Sequence, residues 1–372
     1  MREISVLIKP VSGLCNMACE YCFYEDEMKN RQVSCYDPMS YDTLENIIRK
    51  VLRKAEYAAH FAFQGGEPTL RGLDFYQKVV QLQKEYNGKH IQITNALQTN
   101  GYVMDENWCE FFRKHDFLIG LSVDGTGEIH DKYRHDKIGN KTYEKIYRAA
   151  RLFDHYGVSY NILTVVTKDV AEHVGQIYEV YKRNGWNYLQ FILCLEPMSK
   201  ENRNYRYAPE PALYGRFLTE LFDLWYEDIK KGEQPFIRQF ENMIAILLGH
   251  MPESCEMRGT CSMQYVVEAD GSVYPCDFYV LDQWKLGNFN TEPISSFGRQ
   301  EKEVGFVAES YKISDTCKSC KYYRLCRGGC RRNRVWDAPS KTYQNIYCES
   351  YRYFYDHCLE RLQQLVTEIQ KK

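Results

Sequence analysis

Cys15-Asn16-Met17-Ala18-Cys19-Glu20-Tyr21-Cys22 places three thiols within eight residues, directly after the apolar, strand-like run Ile4–Pro10. A loop this short can bring three sulfurs to one point. Three cysteines leave a four-iron cluster one ligand short, and an open iron is what a cluster needs to bind a molecule rather than only pass electrons. Open catalytic zinc sites follow the same logic. On spacing alone, a zinc site or cysteines packed into a core would account for these residues as well.

Outward from this loop, the first 200 or so residues alternate between strand and helix patterns. Strands are expected at Ile4–Pro10, His60–Gln64, Ile91–Thr99, Phe117–Ser122, Ser159–Thr167 and Tyr188–Leu195. Amphipathic helices lie between them. Ile146, Ala149, Ala150 and Phe153 fall at i, i+3, i+4 and i+7, with Gly157 as the stop, and Phe75, Val79 and Leu82 make another buried stripe. Asp42 with Glu45 reads as a capping box for the first long helix. Six such repeats imply parallel strands with right-handed crossovers, an α/β chain whose core is a partial (β/α)6 barrel, short of a full eightfold one.

Polar and glycine residues gather where these strands end: Gln64-Gly65-Gly66-Glu67-Pro68, Gln98-Thr99-Asn100-Gly101, Ser122-Val123-Asp124-Gly125, and Cys194-Leu195-Glu196-Pro197. That is where β/α barrels place their chemistry. Two glycines let backbone approach a ligand, and a carboxylate accepts bonds from an ammonium. Each segment taken singly is also an ordinary βα turn. No Gly-x-Gly-x-x-Gly follows a strand, so a dinucleotide fold has no support.

After a polar stretch, Glu196–Pro211, helices are expected around Leu213–Ile229, stopped by Gly232, and at Phe240–Leu248. From Cys255 onward, nine of 118 residues are cysteine, which marks a second domain. The division expected is 1–235 for the barrel and 236–372 for a small Cys-rich α+β domain with a C-terminal helix. The chain has 15 cysteines, and its N-terminus, MREISVLIKP, lacks an apolar signal-peptide core. A cytoplasmic protein keeps its thiols reduced, so metal ligation is favoured over disulfides. With 48 basic against 50 acidic residues, nothing points to nucleic acid or a membrane surface as partner.

C-x3-C-x2-C with an aromatic before its last cysteine resembles the signature of the radical S-adenosylmethionine (SAM) superfamily. The resemblance implies that Cys15, Cys19 and Cys22 hold a 4Fe–4S cluster whose fourth iron binds SAM. It implies that one electron cleaves SAM to a 5′-deoxyadenosyl radical that abstracts hydrogen from the substrate. Gly66 and Glu67 match the segment that holds the methionine amino group. By the same resemblance Ser122 and Arg134 contact the ribose and carboxylate of SAM, and Tyr21 and Leu195 its adenosine part.

Cys317-x2-Cys320-x5-Cys326-x3-Cys330, followed by Cys348 and preceded by Cys261-x14-Cys276, resembles the SPASM extension, which holds auxiliary 4Fe–4S clusters. The resemblance assigns Cys255, Cys261, Cys276 and Cys330 to one cluster, and Cys317, Cys320, Cys326 and Cys348 to the other. That makes three 4Fe–4S clusters, with SAM as co-substrate. C-x2-C knuckles also suit zinc, and Cys358 competes with Cys255 for the last ligand position. Cys109, on a helix with Phe112, reads as core. Arg324, Arg327, Arg331, Arg332 and Arg334 either offset thiolate charge or form a solvated face.

The segments Gly259–Cys261, Val273–Tyr279, Phe63–Pro68 and Leu189–Phe191 resemble the anaerobic sulfatase-maturating enzymes across almost the whole chain. Those enzymes oxidise one Cys or Ser of a sulfatase to Cα-formylglycine. The implied substrate is a sulfatase polypeptide with a Cys- or Ser-x-Pro-x-Arg motif, and the implied electron source is a low-potential donor such as ferredoxin or flavodoxin. Asp277, beside Cys276, is the candidate base, with a charged turn residue as the plain alternative. Tyr24 and Gln64 are candidate substrate contacts, against simple barrel packing. Cys15 stands near the start, so no leader-binding domain is expected before it. A peptide maturase forming thioether or carbon–carbon crosslinks would share every motif. A non-catalytic electron carrier would not explain an incomplete cysteine triad beside Gly-Gly-Glu-Pro.

Overall fold

The computed structural model describes residues 2–198 and 204–371, so part of the polar stretch Glu196–Pro211 lies outside the described residues. By compactness the chain divides into two units, each woven from several segments. One comprises Met1–Ser122, Asp131–Tyr160 and Ser262–Phe306; the other comprises Val123–His130, Asn161–Cys261 and Val307–Lys372. Composition and compactness therefore divide the chain differently, because residues 262–306 pack with the first strands.

In the first unit, β1 (Glu3–Ile8), β2 (Ala58–Phe63), β3 (Gln92–Thr99) and β4 (Phe117–Ser122) run parallel in that order. Their burial alternates or is nearly continuous, as expected for strands covered by crossover helices. The loop after β1 carries the cysteine triad and leads into α1 (Phe23–Lys29). The next helix, α2 (Tyr41–Lys54), buries Leu44, Ile47, Ile48, Val51 and Leu52. Its cap is Ser40, whose hydroxyl accepts from the Thr43 N–H, and not the expected Asp42–Glu45 box. The helix starts one residue before Asp42, so a serine takes the preferred N-cap position. Glu45 instead accepts from the Tyr86 hydroxyl at 2.6 Å.

The crossover helices α3 (Leu73–Tyr86), α4 (Glu106–Lys114) and α5 (Tyr143–Tyr156) follow the predicted stripes. Phe75, Val79 and Leu82 are buried on α3, Cys109 and Phe112 on α4, and Ile146, Ala149, Ala150 and Phe153 on α5. Gly157 closes α5 at φ +65°, a left-handed turn that suits glycine.

The second unit holds β5 (Tyr160–Val166), α6 (Val174–Arg183) and β6 (Tyr188–Leu193), with β5 parallel to β6. A 20-residue helix, α7 (Pro211–Lys230), opens on proline at its first position and buries Phe217, Leu221, Phe222 and Trp225. It leads to β7 (Phe236–Ile237), parallel to β6, and then α8 (Arg238–Leu247).

Three short strands then return to the first unit: β8 (Val266–Val267), β9 (Ser272–Tyr274) and β10 (Gly287–Asn288). β8 pairs parallel to β1, with Leu7 opposite Val266, and β9 and β10 extend that edge antiparallel. The chain closes in the second unit with the hairpin β11 (Arg334–Asp337) and β12 (Thr342–Asn345), then α9 (Cys348–Gln370), whose Phe354 ring packs on Phe222 at 5.8 Å.

Candidate active site

The cysteine loop is held by its own backbone and by the turn after β2. Cys22 caps α1, its N–H bonded to the Cys19 carbonyl at 3.1 Å, and the Cys15 sulfur accepts from the Met17 N–H at 3.3 Å. The Asn100 amide sits 3.7 Å from that sulfur and donates to Asn16 at 2.8 Å. Gly66 adopts φ +54°, and a Cβ there would lie 2.1 Å from the Leu14 carbonyl oxygen, so only glycine fits. The Glu67 N–H bonds that same oxygen at 2.7 Å. The Glu67 carboxylate is buried and accepts from the Thr69 N–H and hydroxyl, the Thr99 hydroxyl and the Asn100 N–H. The ends of β1, β2 and β3 are thereby locked around one point.

Ser122 ends β4, nearly buried, and Arg134 donates to the Tyr21 hydroxyl at 3.0 Å. Leu195 lies half-buried just past β6 in the second unit. Tyr21 and Arg134 are thus brought together within the first unit.

Asp277 is buried in a polar cluster. Its Oδ2 accepts from the Tyr24 hydroxyl at 2.8 Å and from the Gln64 amide at 3.0 Å, while its buried Oδ1 has no hydrogen-bond partner among the described residues. Burial raises this carboxyl above the ordinary range, and the nearby Lys9 ammonium opposes that most. Tyr24 and Gln64, the candidate substrate contacts, both donate to this carboxylate.

Sequence reasoning missed the charges behind this cluster. Lys9, one residue past β1, is 1% exposed, with its ammonium 3.5 Å from Glu27 and 3.4 Å from Glu268. Arg31 pairs with Glu268 at 3.3 Å, and Ser12 bridges them. Burial pushes the Glu27 carboxyl up to about 7, against the pull of Lys9. The available signal was a lysine placed between an apolar strand and a proline, where a solvated charge is not expected.

The second unit gathers most of the remaining thiols. Cys317, Cys320, Cys326 and Cys348 line a cavity of about 300 Å³. Cys255, Cys261 and Cys330 lie near enough to influence one another's ionisation. Cys358 is buried inside α9 beside Arg361. Cys276 belongs to the first unit, immediately before Asp277.

The arginines divide in their roles. Arg324 is exposed, whereas Arg331, Arg332 and Arg334 are buried. Arg334 donates to the carbonyls of Gly259, Ser310, Gly328 and Gly329 at 2.7 to 3.0 Å. This one guanidinium ties the loop before Cys261 to the loop before Cys330.

These residues fit iron–sulfur clusters. Burial pushes the thiols of Cys15, Cys326 and Cys330 up to about 12, so their thiolates need a cationic group to bind. Among the described residues no three ligand side chains converge closely enough for a single ion. The four thiols ring a larger space instead.

The first unit's cysteine loop and the second unit's thiol-lined cavity define a radical SAM enzyme with an auxiliary iron–sulfur domain. The Radical SAM superfamily is matched over residues 10–180, and an iron–sulfur cluster-binding domain over residues 255–321. A cysteine-type anaerobic sulfatase-maturating enzyme of Clostridium perfringens is 45% identical over 99% of this chain and 100% of its own length. A serine-type counterpart from Bacteroides thetaiotaomicron is 32% identical over 96% of this chain and 89% of its own. The solved structure of native anSMEcpe with bound AdoMet and Cp18Cys peptide superposes with a TM-score of 0.94 at 44% identity, covering 99% of each chain. The chain belongs to the anaerobic sulfatase-maturating enzymes. Its fold is the α/β radical SAM fold with a SPASM domain, and its cofactors are 4Fe–4S clusters and SAM.

Proposed function

We propose that this enzyme oxidises one Cys, or alternatively Ser, of a sulfatase polypeptide to Cα-formylglycine. The observation that carries the reading is the buried, unpartnered Oδ1 of Asp277, held next to ligand Cys276 in a chain closely similar to sulfatase maturases. When bound, SAM and the clusters supply a 5′-deoxyadenosyl radical for one hydrogen atom and an acceptor for one electron. The chain supplies the rest.

Asp277 Oδ1 takes the proton of the substrate thiol or hydroxyl, while Tyr24 and Gln64 fix its other oxygen. Loss of one hydrogen atom, one proton and one electron from CH2–SH leaves a thioaldehyde, which water converts to the aldehyde and sulfide. From CH2–OH the same losses give the aldehyde directly. Cys15, Cys19 and Cys22 hold the first cluster. Cys255, Cys261, Cys276 and Cys330 hold one auxiliary cluster, and Cys317, Cys320, Cys326 and Cys348 the other. Gly66 and Glu67 shape the turn for the methionine amino group, and Ser122, Arg134, Tyr21 and Leu195 complete the SAM site.

The functional division is 1–235 and 236–372. The electron donor is a low-potential ferredoxin or flavodoxin, and the location is the cytoplasm. Among the described residues no helix is long and apolar enough to cross a membrane.

The test is a short Cys-x-Pro-x-Arg peptide with SAM and a low-potential reductant. A hydrazine probe should capture an aldehyde, and deuterium placed at the target Cβ should appear in 5′-deoxyadenosine. Asp277→Asn should still cleave SAM while losing about a hundredfold to ten-thousandfold in aldehyde. Joining of the cysteine to another residue of the peptide would instead identify a crosslinking maturase.

A further inference from the structure

We propose that Lys9 is a positioning residue for the reaction, bracing Asp277 through the ring of Tyr24. The inference rests on the reading of Asp277 as the proton acceptor. The Lys9 ammonium lies 4.5 Å from the centre of the Tyr24 ring, and the hydroxyl of that ring donates to Asp277 Oδ2. On its other side it is clasped by Glu27 and Glu268. Glu27 also accepts from the Val280 N–H at 3.0 Å, three residues beyond Asp277, which fixes the turn carrying the base. A cation seated on a ring face holds that ring in one orientation. The ring's hydroxyl and the Gln64 amide then hold Asp277 by a single oxygen, leaving Oδ1 without a partner.

Stability alone does not account for this arrangement. Buried ion pairs are commonly no better for stability than well-packed apolar side chains of similar volume. Three carboxylates, Glu27, Glu268 and Asp277, face two cations, Lys9 and Arg31, in one enclosed volume. Arg31 is paired with Glu268, whereas Lys9 spans both glutamates and the aromatic ring. Lys9 is therefore placed to couple the carboxylate framework to the orientation of the base. Gly65 leaves it the room, since a Cβ at that position would lie 2.8 Å from the Lys9 side chain.

The test compares Lys9→Met, the double variant Lys9→Met/Glu27→Gln, and Asp277→Asn in the reconstituted holoenzyme. The double variant removes the carboxylate that Lys9→Met would leave unpaired, so it guards against simple misfolding. Three quantities are read: iron content, affinity for a fluorescent Cys-x-Pro-x-Arg peptide, and aldehyde formed per 5′-deoxyadenosine. The expected result for the double variant is unchanged iron and peptide affinity, with the aldehyde ratio down about a hundredfold, the size typical of a misplaced reacting group. Wild-type coupling in the folded double variant overturns the proposal. So does a loss of coupling that only parallels lost iron or lost peptide binding. If Asp277→Asn itself keeps wild-type coupling, the reading of Asp277 as base fails, an outcome separate from the first two.

Discussion

Tyr24 donates its hydroxyl hydrogen to Asp277 Oδ2 at 2.8 Å, across 253 residues of sequence. The contact joins the helix that follows the cysteine triad to the turn that follows Cys276. It makes the tyrosine a handle on the proposed base. Tyr24→Phe keeps the ring over Lys9 and removes only the donor. A hydrogen bond to a charged group is worth about 1.5–3 kcal/mol, so aldehyde formation should fall about tenfold to a hundredfold while SAM cleavage continues. Single-turnover assays that count both products check this.

Gly66→Ala should act at the first cluster. The added methyl would press on the Leu14 carbonyl, and the positive φ disfavours it further. Weakened SAM binding is expected, measured by equilibrium dialysis on the reconstituted protein, with the auxiliary clusters still visible by EPR.

The eleven cysteines proposed as ligands predict the metal content. Anaerobic reconstitution should give about twelve iron and twelve sulfide per chain. Changing Cys15, Cys19 and Cys22 together to Ala should remove about a third and abolish SAM cleavage. Cys326→Ala should remove a similar share while SAM cleavage survives. Stoichiometric zinc in protein purified without oxygen would contradict the assignment of the second cysteine field.

Arg334→Lys is a harsher change than the shared charge suggests. The guanidinium reaches four carbonyls in a fixed plane, and an ammonium on a flexible stem cannot. The loops before Cys261 and Cys330 should loosen. Iron content should fall by about four per chain, with loss of one auxiliary EPR signal and retention of the cluster at Cys15.

The strands β1 to β6 were legible because they are six to eight residues long and end in glycine or polar turns. Periodicity is readable at that length. β8 and β9, at two and three residues, carry no period, so their return to the edge of β1 could not be read from the pattern. The same holds for the site. Cysteine spacing is local, and Cys15, Cys19 and Cys22 could be found by eye. Lys9, Glu27 and Glu268 become a group only once β8 has paired with β1, so no local window contains their relationship. The helix cap was misplaced for a simpler reason. Asp42 and Glu45 satisfy the spacing rule, but the adjacent Ser40 satisfies the geometry.

The pairing of β8 with β1 also sets an order of events during translation. The outer edge of β1 must wait for residues made much later, and Ser12 meets Glu268 across 256 positions. At ribosomal speed that interval is on the order of tens of seconds. Throughout it, the nascent chain exposes an unpaired strand edge and leaves Lys9 without one of its two carboxylates. The triad of thiols emerges early, but Asp277, the proton acceptor proposed above, does not yet exist. A partly made chain therefore holds the cysteine loop before the segment that closes the edge of β1 and pairs with Lys9 has been made.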